Sequence, residues 1–318
     1  MLAFQRIGQV SATLGELRER ADLIVYWGVD PDVRCPGFRA RYIDAGAAPA
    51  CRTIAVDIND TRAPLEVDER FDLDTASELE ALWTLRARLR GRRIEMARAE
   101  PPLPVVNPLV RRLRACRYGV ILHDGDPPHE RRDPMVPLAL GALAIEANRT
   151  ARVRLIGVRR PGNAVGAETV LTWQTGFPFA VDFSRGYPRY GPGEFSAERV
   201  LARGEVDAAL LVGVNAPIDL SDAASAHLER IPTIVVGGPA AWSGPQTRAR
   251  FTTSPFETLA GSVYRMDGIP LRRRRADASS MPRTPEPEDA AVLRQLLHGF
   301  VQRRRPGADR RDLERRKL

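Results

Sequence analysis

Few side chains in this 318-residue sequence stand close enough together to do chemistry; the densest group is His123-Asp124-Gly125-Asp126 with His129. Imidazoles and carboxylates so placed could bind a cation or pass a proton. Pro127 and Pro128 divide the group, however, and no third ligand stands at metal-ligand spacing, so a solvated turn is expected. Gly28 and Asp30, directly behind an apolar run, could cradle a phosphate, because open α/β sheets bind ligands beyond the carboxyl ends of their strands. No G-x-G-x-x-G loop accompanies them, and Gly28-Val29-Asp30-Pro31 also reads as an ordinary turn. Ser184 lacks a G-x-S-x-G setting and has no base near it in sequence. His227 and His298 fall on a surface helix and a tail helix, where neither supports a role. Cys35, Cys51 and Cys116 are scattered, without C-x-x-C spacing, and read as idle thiols rather than ligands of zinc or an iron–sulfur cluster. No metal is expected.

The elements that must position these residues belong to a large soluble chain of two domains rather than one. No apolar run reaches the roughly eighteen residues of a membrane span, and the first residues lack a secretory layout, which makes the cytoplasm the expected compartment. The net charge of +8 suggests nucleic acid at first sight. From Leu271 to Leu318, however, fourteen Arg or Lys face seven Asp or Glu, which leaves the preceding residues near +1. Lys317 is the only lysine, and such an arginine bias fits a GC-rich genome better than phosphate recognition.

An amphipathic helix is predicted near Val10–Arg20, followed by a strand over Asp22–Trp27 and another over Thr53–Asp57. Leu79, Leu82, Leu85 and Leu89 recur at helical spacing between about Ala76 and Arg90. Four prolines between Glu100 and Pro108 suggest a domain boundary. Beyond it the pattern predicts a strand at Tyr118–His123, a helix at Val136–Asn148 and a strand at Val153–Val158. An irregular stretch follows, then a helix near Ser196–Arg203, a strand at Asp207–Gly213, a helix capped by Ser221 and a strand at Thr233–Val236. Strands alternating with helices imply parallel sheets covered on both faces. The expected domains are residues 1–105, residues 106–271 and an Arg-rich, largely disordered tail over 272–318 with one short helix at Val292–Phe300.

Residues 174–193 collect Gly, Pro and the aromatics Phe177, Phe179, Phe183, Tyr187 and Tyr190 without a period. A loop of that length inside a domain is either functional, here an interface, or a well-packed Ω-loop.

Several segments together resemble the B subunit of formylmethanofuran dehydrogenase, and more closely its homologue in the formyltransferase/hydrolase complex of methylotrophic bacteria. They are Ala12-Thr13-Leu14-Gly15-Glu16, Ala21 to Gly28, the long run Leu171 to Gly186, Tyr190 to Glu194, Ala202 to Ala208 and Tyr264 to Pro270. The likeness spans about Val10 to Pro270, and Leu171 to Glu194 is its most specific part. It implies two doubly wound α/β domains of the molybdopterin-oxidoreductase type, with the N-terminal cluster and metal-binding region missing. In the catalytic dehydrogenase the metal-binding cysteine and the cluster cysteines lie upstream of the matched region, so no ligand role carries over to Cys35, Cys51 or Cys116.

The resemblance also marks positions of a vestigial pterin site: Gly28, Asp30, Asp57, Arg159 and Asn163. Where the family has an Asp-Pro-Arg turn this chain reads Asp57-Ile58-Asn59, and where it has Arg-Gly-His-x-Asn this chain reads Arg159-Arg160-Pro161-Gly162-Asn163, without the histidine. The family's late Thr/Ala/Asp segment appears as Gly237 to Trp242. The function so implied is a non-catalytic structural subunit of a formyltransferase/hydrolase complex in methanofuran- and tetrahydromethanopterin-linked one-carbon metabolism, with no cofactor of its own and no activity alone. Its expected partners are a formyltransferase subunit, an amidohydrolase-like subunit, a further subunit and a polyglutamylated methanofuran-like carrier. A rival is a fragment of a molybdenum or tungsten pterin-dependent dehydrogenase subunit; a third reading is a basic nucleic-acid-binding protein.

Overall fold

A capping box starts the first helix. Thr13 accepts from the Glu16 N–H at 3.1 Å while the Glu16 carboxylate accepts from the Thr13 N–H at 3.1 Å, satisfying two donors that a helix start leaves open. The computed structural model describes residues 6–8, 10–45, 51–59, 61–92, 103–126, 133–214, 220–254, 260–274 and 288–304. It falls into two units, residues 1–167 with 264–271 and residues 168–263 with 272–318.

In the first unit, α1 (Leu14–Arg20) precedes β1 (Leu23–Trp27), α2 (Pro31–Arg34) and a π-helical turn at Ala40–Asp44. Then come β2 (Arg52–Ile58), β3 (Glu69–Leu73), α3 (Thr75–Leu89), α4 (Leu103–Ala115), β4 (Tyr118–Asp124), α5 (Val136–Ala147) and β5 (Arg152–Val158). The five strands form one sheet in the order β3-β2-β1-β4-β5, every neighbouring pair parallel. Central β1 is buried throughout, and successive side chains point to opposite faces. Leu23, Val25 and Trp27 pack with Leu82, Leu113 and Leu140 from the helices of one face. Ile24 and Tyr26 pack with Leu14, Leu17 and Phe38 on the other. A sheet covered on both faces explains strands that read as unbroken apolar runs.

The segment 264–271 returns to this unit. Asp267 accepts from the Leu14 N–H at 2.7 Å and pairs with Arg265, so a residue far along the chain satisfies another open donor of α1.

In the second unit α6 (Ala164–Thr175), which begins in the first, leads to the short antiparallel pair β6 (Val181–Asp182) and β7 (Arg189–Tyr190). There follow α7 (Pro192–Phe195), α8 (Ala197–Ala202), β8 (Ala209–Val212), α9 (Asp222–Leu228), β9 (Thr233–Gly237) and β10 (Thr247–Thr252). Strands β11 (Gly261–Tyr264) and β12 (Pro270–Arg273) stand at the two ends of the segment that returns to the first unit, and α10 (Asp289–Arg304) follows them. Strands β8, β9 and β10 make a parallel sheet with β9 in the middle. Ser196 and Ser221 cap α8 and α9, which pack through Leu201, Ala224 and Leu228.

The fold is mixed α/β with parallel sheets, as the alternation predicts. The boundary after residue 105 is not where the chain divides: β4, beyond it, hydrogen-bonds to β1, and the division falls within α6. The prolines misled because α4 tolerates them. Pro104 stands in the first helical turn, whose N–H groups have no intrahelical partner, while Pro108 is carried inside the helix. Strand β3 went unforeseen because its sequence, Glu-Arg-Phe-Asp-Leu, is charged and sits at a sheet edge. Helix α6 occupies the stretch expected to be irregular. The expected linker over 278–287 and the terminus beyond residue 304 lie outside the described residues.

Burial alone would raise the Asp267 carboxyl, but the hydrogen bonds from Arg265 and the Leu14 N–H outweigh it and hold it below the usual 3.8. A depressed folded-state value stabilises the fold above the unfolded-state value, and the stabilisation fades as pH falls through the folded one. Asp267→Asn should therefore cost about 1–3 kcal/mol at neutral pH in a denaturant titration. The gap to the unsubstituted chain should close in acid; a gap independent of pH would refute the role.

Candidate functional site

In an open sheet of order β3-β2-β1-β4-β5 the connections reverse direction between β1 and β4, and such a fold binds ligands beyond the carboxyl ends of those two strands. Trp27 of β1 lies opposite His123 of β4, so the loops starting at Gly28 and at Asp124 flank this crevice. Side chains of the chain itself meet there. Arg34, at the end of α2, donates to both oxygens of Asp124 at 2.8 and 2.7 Å, a planar fork on a carboxylate. It also reaches Asp126 at 2.7 Å and the Val158 carbonyl at 3.2 Å. Arg159 and Arg160, following β5, approach Asp126 at 3.2 and 3.0 Å. Asp126 is 8% exposed and Asp124 14%. The expected solvated turn is therefore corrected: these carboxylates are drawn inward by three guanidinium groups. His129 lies outside the described residues.

Glycines allow the loops to come this close. A Cβ on Gly125 would stand 2.7 Å from the Gly157 carbonyl carbon, so the turns after β4 and near the end of β5 need bare backbone.

The five positions marked by the family resemblance all stand at the carboxyl ends of this sheet's strands, and each has a local partner. Gly28 has φ +58°, and a Cβ there would meet Ile58 Cγ1 at 2.7 Å, so the glycine is explained by the isoleucine packed against it. Asp30 caps α2, accepting from the Asp32 N–H at 2.9 Å. Asp57 is 1% exposed; it accepts from the Ala63 N–H at 2.8 Å, pairs with Arg70 from β3 and meets Arg62 at 3.3 Å. Arg159 joins the Asp126 cluster. Asn163, at φ +58°, accepts from the Tyr264 N–H at 2.8 Å and holds the returning segment.

The sequence reading missed Arg34, Arg62, Arg70 and Arg160. Their only sequence signal is a charge opposite to that of carboxylates elsewhere in the chain, which means nothing until the strand order is known.

Burial raises the Cys35 thiol, and pushes Cys51 and Cys116 up to about 11, so these groups hold their protons at neutral pH. Among the described residues no group of three His, Cys, Asp or Glu is arranged to hold a metal ion. No described helix is long and apolar enough to cross a membrane.

The aromatic loop divides in two. Phe177 stacks on Tyr190 with ring centres 5.1 Å apart, and Phe179 meets the same tyrosine edge-on at 6.0 Å. Asp182 pairs with Arg189, whose guanidinium covers Phe195. Phe183 and Tyr187 of the same loop are each 53% exposed, and Trp173 of α6 is 71% exposed. Ω-like packing holds for three of the five aromatics and fails for Phe183 and Tyr187.

No family model matches the sequence. The chain is 30% identical over 296 residues to the B subunit of the tungsten-containing formylmethanofuran dehydrogenase 2 of Methanocaldococcus jannaschii, covering 86% of this chain and 65% of that protein. Its counterpart in Methanococcus maripaludis is 28% identical over 310 residues, with 93% and 70% covered. The chain thus spans about two thirds of these relatives. The B subunit of the formyltransferase/hydrolase complex of Methylorubrum extorquens is 33% identical over 110 residues, 34% of this chain and 29% of that one. In three dimensions the chain resembles a chain in the crystal structure of the Methylorubrum extorquens formyltransferase/hydrolase complex with methylofuran. The TM-score is 0.71 at 22% identity, with 95% of this chain and 80% of that one covered, a likeness of fold.

Removing one partner from a buried ionic cluster leaves the others uncompensated, whereas an apolar replacement of the set can be neutral. Asp126→Ala should cost about 3–5 kcal/mol in a denaturant titration. Arg34→Met with Asp124→Leu and Asp126→Leu should recover part of that loss. If Asp126→Ala costs no more than an exposed carboxylate does, the cluster is ornamental.

Proposed function

We infer that this chain, a homologue of the formylmethanofuran dehydrogenase B subunits, works as a cofactor-free structural subunit of a formyltransferase/hydrolase complex in methanofuran-linked one-carbon metabolism. The observation behind this reading is that the positions a pterin dinucleotide would need are already committed to the chain's own groups. Arg34 fills the crevice between the β1 and β4 loops; Ile58 packs on Gly28; Asp57 is held by Arg70, Arg62 and a backbone N–H. A ligand would have to displace buried ion pairs at a cost of several kcal/mol before making any contact of its own. These residues do not fit the group.

The compartment that goes with this role is the cytoplasm. The partners are a formyltransferase subunit, an amidohydrolase-like subunit and a further subunit, with a methanofuran-type carrier passing formyl groups between them. The exposed Trp173, Phe183 and Tyr187 are side chains suited to subunit contact, since aromatic anchors are enriched at interface cores.

One observation favours a second reading. The two relatives matched over most of the chain are named as parts of tungsten-containing dehydrogenases, so the chain could be part of such an enzyme, with its cofactor bound. Elemental analysis of the native complex, with every subunit retained, separates the two. The structural reading expects no stoichiometric tungsten or molybdenum in this chain, and near-equimolar metal traced to it would sink that reading.

Phe183→Ser with Tyr187→Ser should leave the thermal transition of the isolated chain within about one to two degrees, because both rings are already half in water. The same pair should weaken assembly with the sister subunits by about tenfold or more if these rings anchor the interface. Unchanged assembly would remove the loop from it.

A further inference from the structure

Hairpin β6–β7 is closed by its own side chains. Asp182 and Arg189 stand opposite each other in the last register pair before the turn, and their charges meet there. Asp182 also accepts from the Ser184 N–H at 2.8 Å and from the Ser184 hydroxyl at 2.9 Å, while Arg189 reaches that hydroxyl at 3.3 Å. Gly186, at φ +81°, donates its N–H to the Phe183 carbonyl at 2.9 Å and completes the turn. At the foot Tyr190 stacks on Phe177, and the Arg189 guanidinium lies 4.7 Å from the Phe195 ring centre. The tip is thus held from both strands.

This frame carries five consecutive exposed residues, Phe183 to Tyr187. Three of them, Phe183, Arg185 and Tyr187, are of types enriched where proteins meet. The hairpin's two arginines are used differently. Arg189 is committed to Asp182, whereas Arg185 pairs with no carboxylate among the described residues. The turn itself does not require an arginine at 185, because Asp182, Ser184, Gly186 and Arg189 already set its shape.

An exposed ring alone is ordinary. A fixed tip is different, because a segment held in one conformation before contact gives up little freedom on binding.

The free guanidinium between two aromatic positions narrows the occupant. A lipid surface attracts clusters of basic groups, and the hairpin offers one. A single nucleic-acid strand would stack on the rings, yet it also needs a groove of cations along its backbone. A protein recess answers both features. Its apolar walls take the rings, and a carboxylate meets the planar fork of the arginine with paired hydrogen bonds. That carboxylate is required, since a charge drawn out of water without a partner is strongly disfavoured.

We propose that the tip of hairpin β6–β7 inserts into an apolar recess of a sister subunit, where a carboxylate receives Arg185. This rests on the reading of the chain as a subunit of the complex, and it adds the charged anchor and the chemistry of the partner's recess. The test uses the full chain co-expressed with the formyltransferase-like and amidohydrolase-like subunits, with dissociation of the complex measured at low and at high salt. Arg185→Ala should weaken assembly about tenfold or more. The factor should be similar at both salt concentrations, because a pair shut away from solvent is little screened. Arg185→Lys keeps the charge without the fork and should show a smaller loss. The thermal transition of the isolated chain should stay in place for both variants, since the side chain is exposed and pairs with no described carboxylate.

If Arg185→Ala assembles as tightly as the unsubstituted chain, the proposal falls and the subunit reading stands. A loss seen at low salt alone has the same consequence, for it places Arg185 on an open rim. If the unsubstituted chain does not join the sister subunits at all, the subunit reading fails and takes the proposal with it. Two further results would give the tip to another occupant and overturn the proposal. One is dissociation of an isolated-chain dimer by Arg185→Ala, which means a second copy. The other is loss by that variant of binding to a single-stranded oligonucleotide or to phosphatidylglycerol vesicles.

Discussion

The carboxylate of Asp126 is where the first unit closes. It is 8% exposed and draws in Arg34, Arg159 and Arg160, residues that follow β1 and β5, while it stands just past the end of β4 itself. Three of five strands are thus tied together at their carboxyl ends by one ionic centre. Hydrogen bonding within the sheet sets the spacing of the strands, but it leaves the loops beyond them unconstrained. The cluster fixes those loops, and Gly125 and Gly157 let their backbones meet. Ion pairs so far buried add little net stability over an apolar filling of equal shape. Their contribution is geometric, because a bidentate fork between Arg34 and Asp124 tolerates one loop arrangement and few others.

The layers of the fold were legible where burial decides the sequence. Strand β1, the helix over Leu79–Leu89 and the capped starts at Ser196 and Ser221 follow from periodicity and cap chemistry alone. Three elements were hidden for separate reasons. Edge strand β3 gains its place by pairing with β2, and its alternation of charge and apolar residues is too short to announce it. Helix α4 hides behind prolines that punctuate loops elsewhere. Helix α6 is built of small and β-branched residues with little contrast between its faces. Missing α4 and α6 moved the expected boundary to the wrong side of β4, for a break in a pattern is not a break in a sheet.

The candidate site was legible by position but not by chemistry. Gly28 and Asp30 stand where a strand end says a ligand could be, and Asp57, Arg159 and Asn163 join them on the same edge. What decides their use is the partner each has found, and those partners can lie far along the chain: Arg34 is 90 residues from Asp124 and Asn163 is 101 from Tyr264. A single sequence holds no signal for such a pairing before the strand order is known.

The distribution of exposed apolar groups differs along the chain. Among the described residues of the first unit the exposed large apolar side chains are Val33, Leu65, Met135 and Ile145, scattered along the chain, with Ile269 and Leu271 in the returning segment. In the second unit the described exposed ones include Trp173 on α6, Phe183 and Tyr187 in the aromatic loop, Leu210, Val212 and Ile234 on one sheet face, and Leu297 and Val301 on α10. Leaving such groups in water costs roughly 25 cal/mol for each Å² of apolar surface, a cost a protein sheds by covering them. The first unit ties its strand ends together with ion pairs, and the second carries exposed aromatic and aliphatic side chains. That division follows from what each unit buries, and it gives a physical basis for reading the chain as a part of something larger.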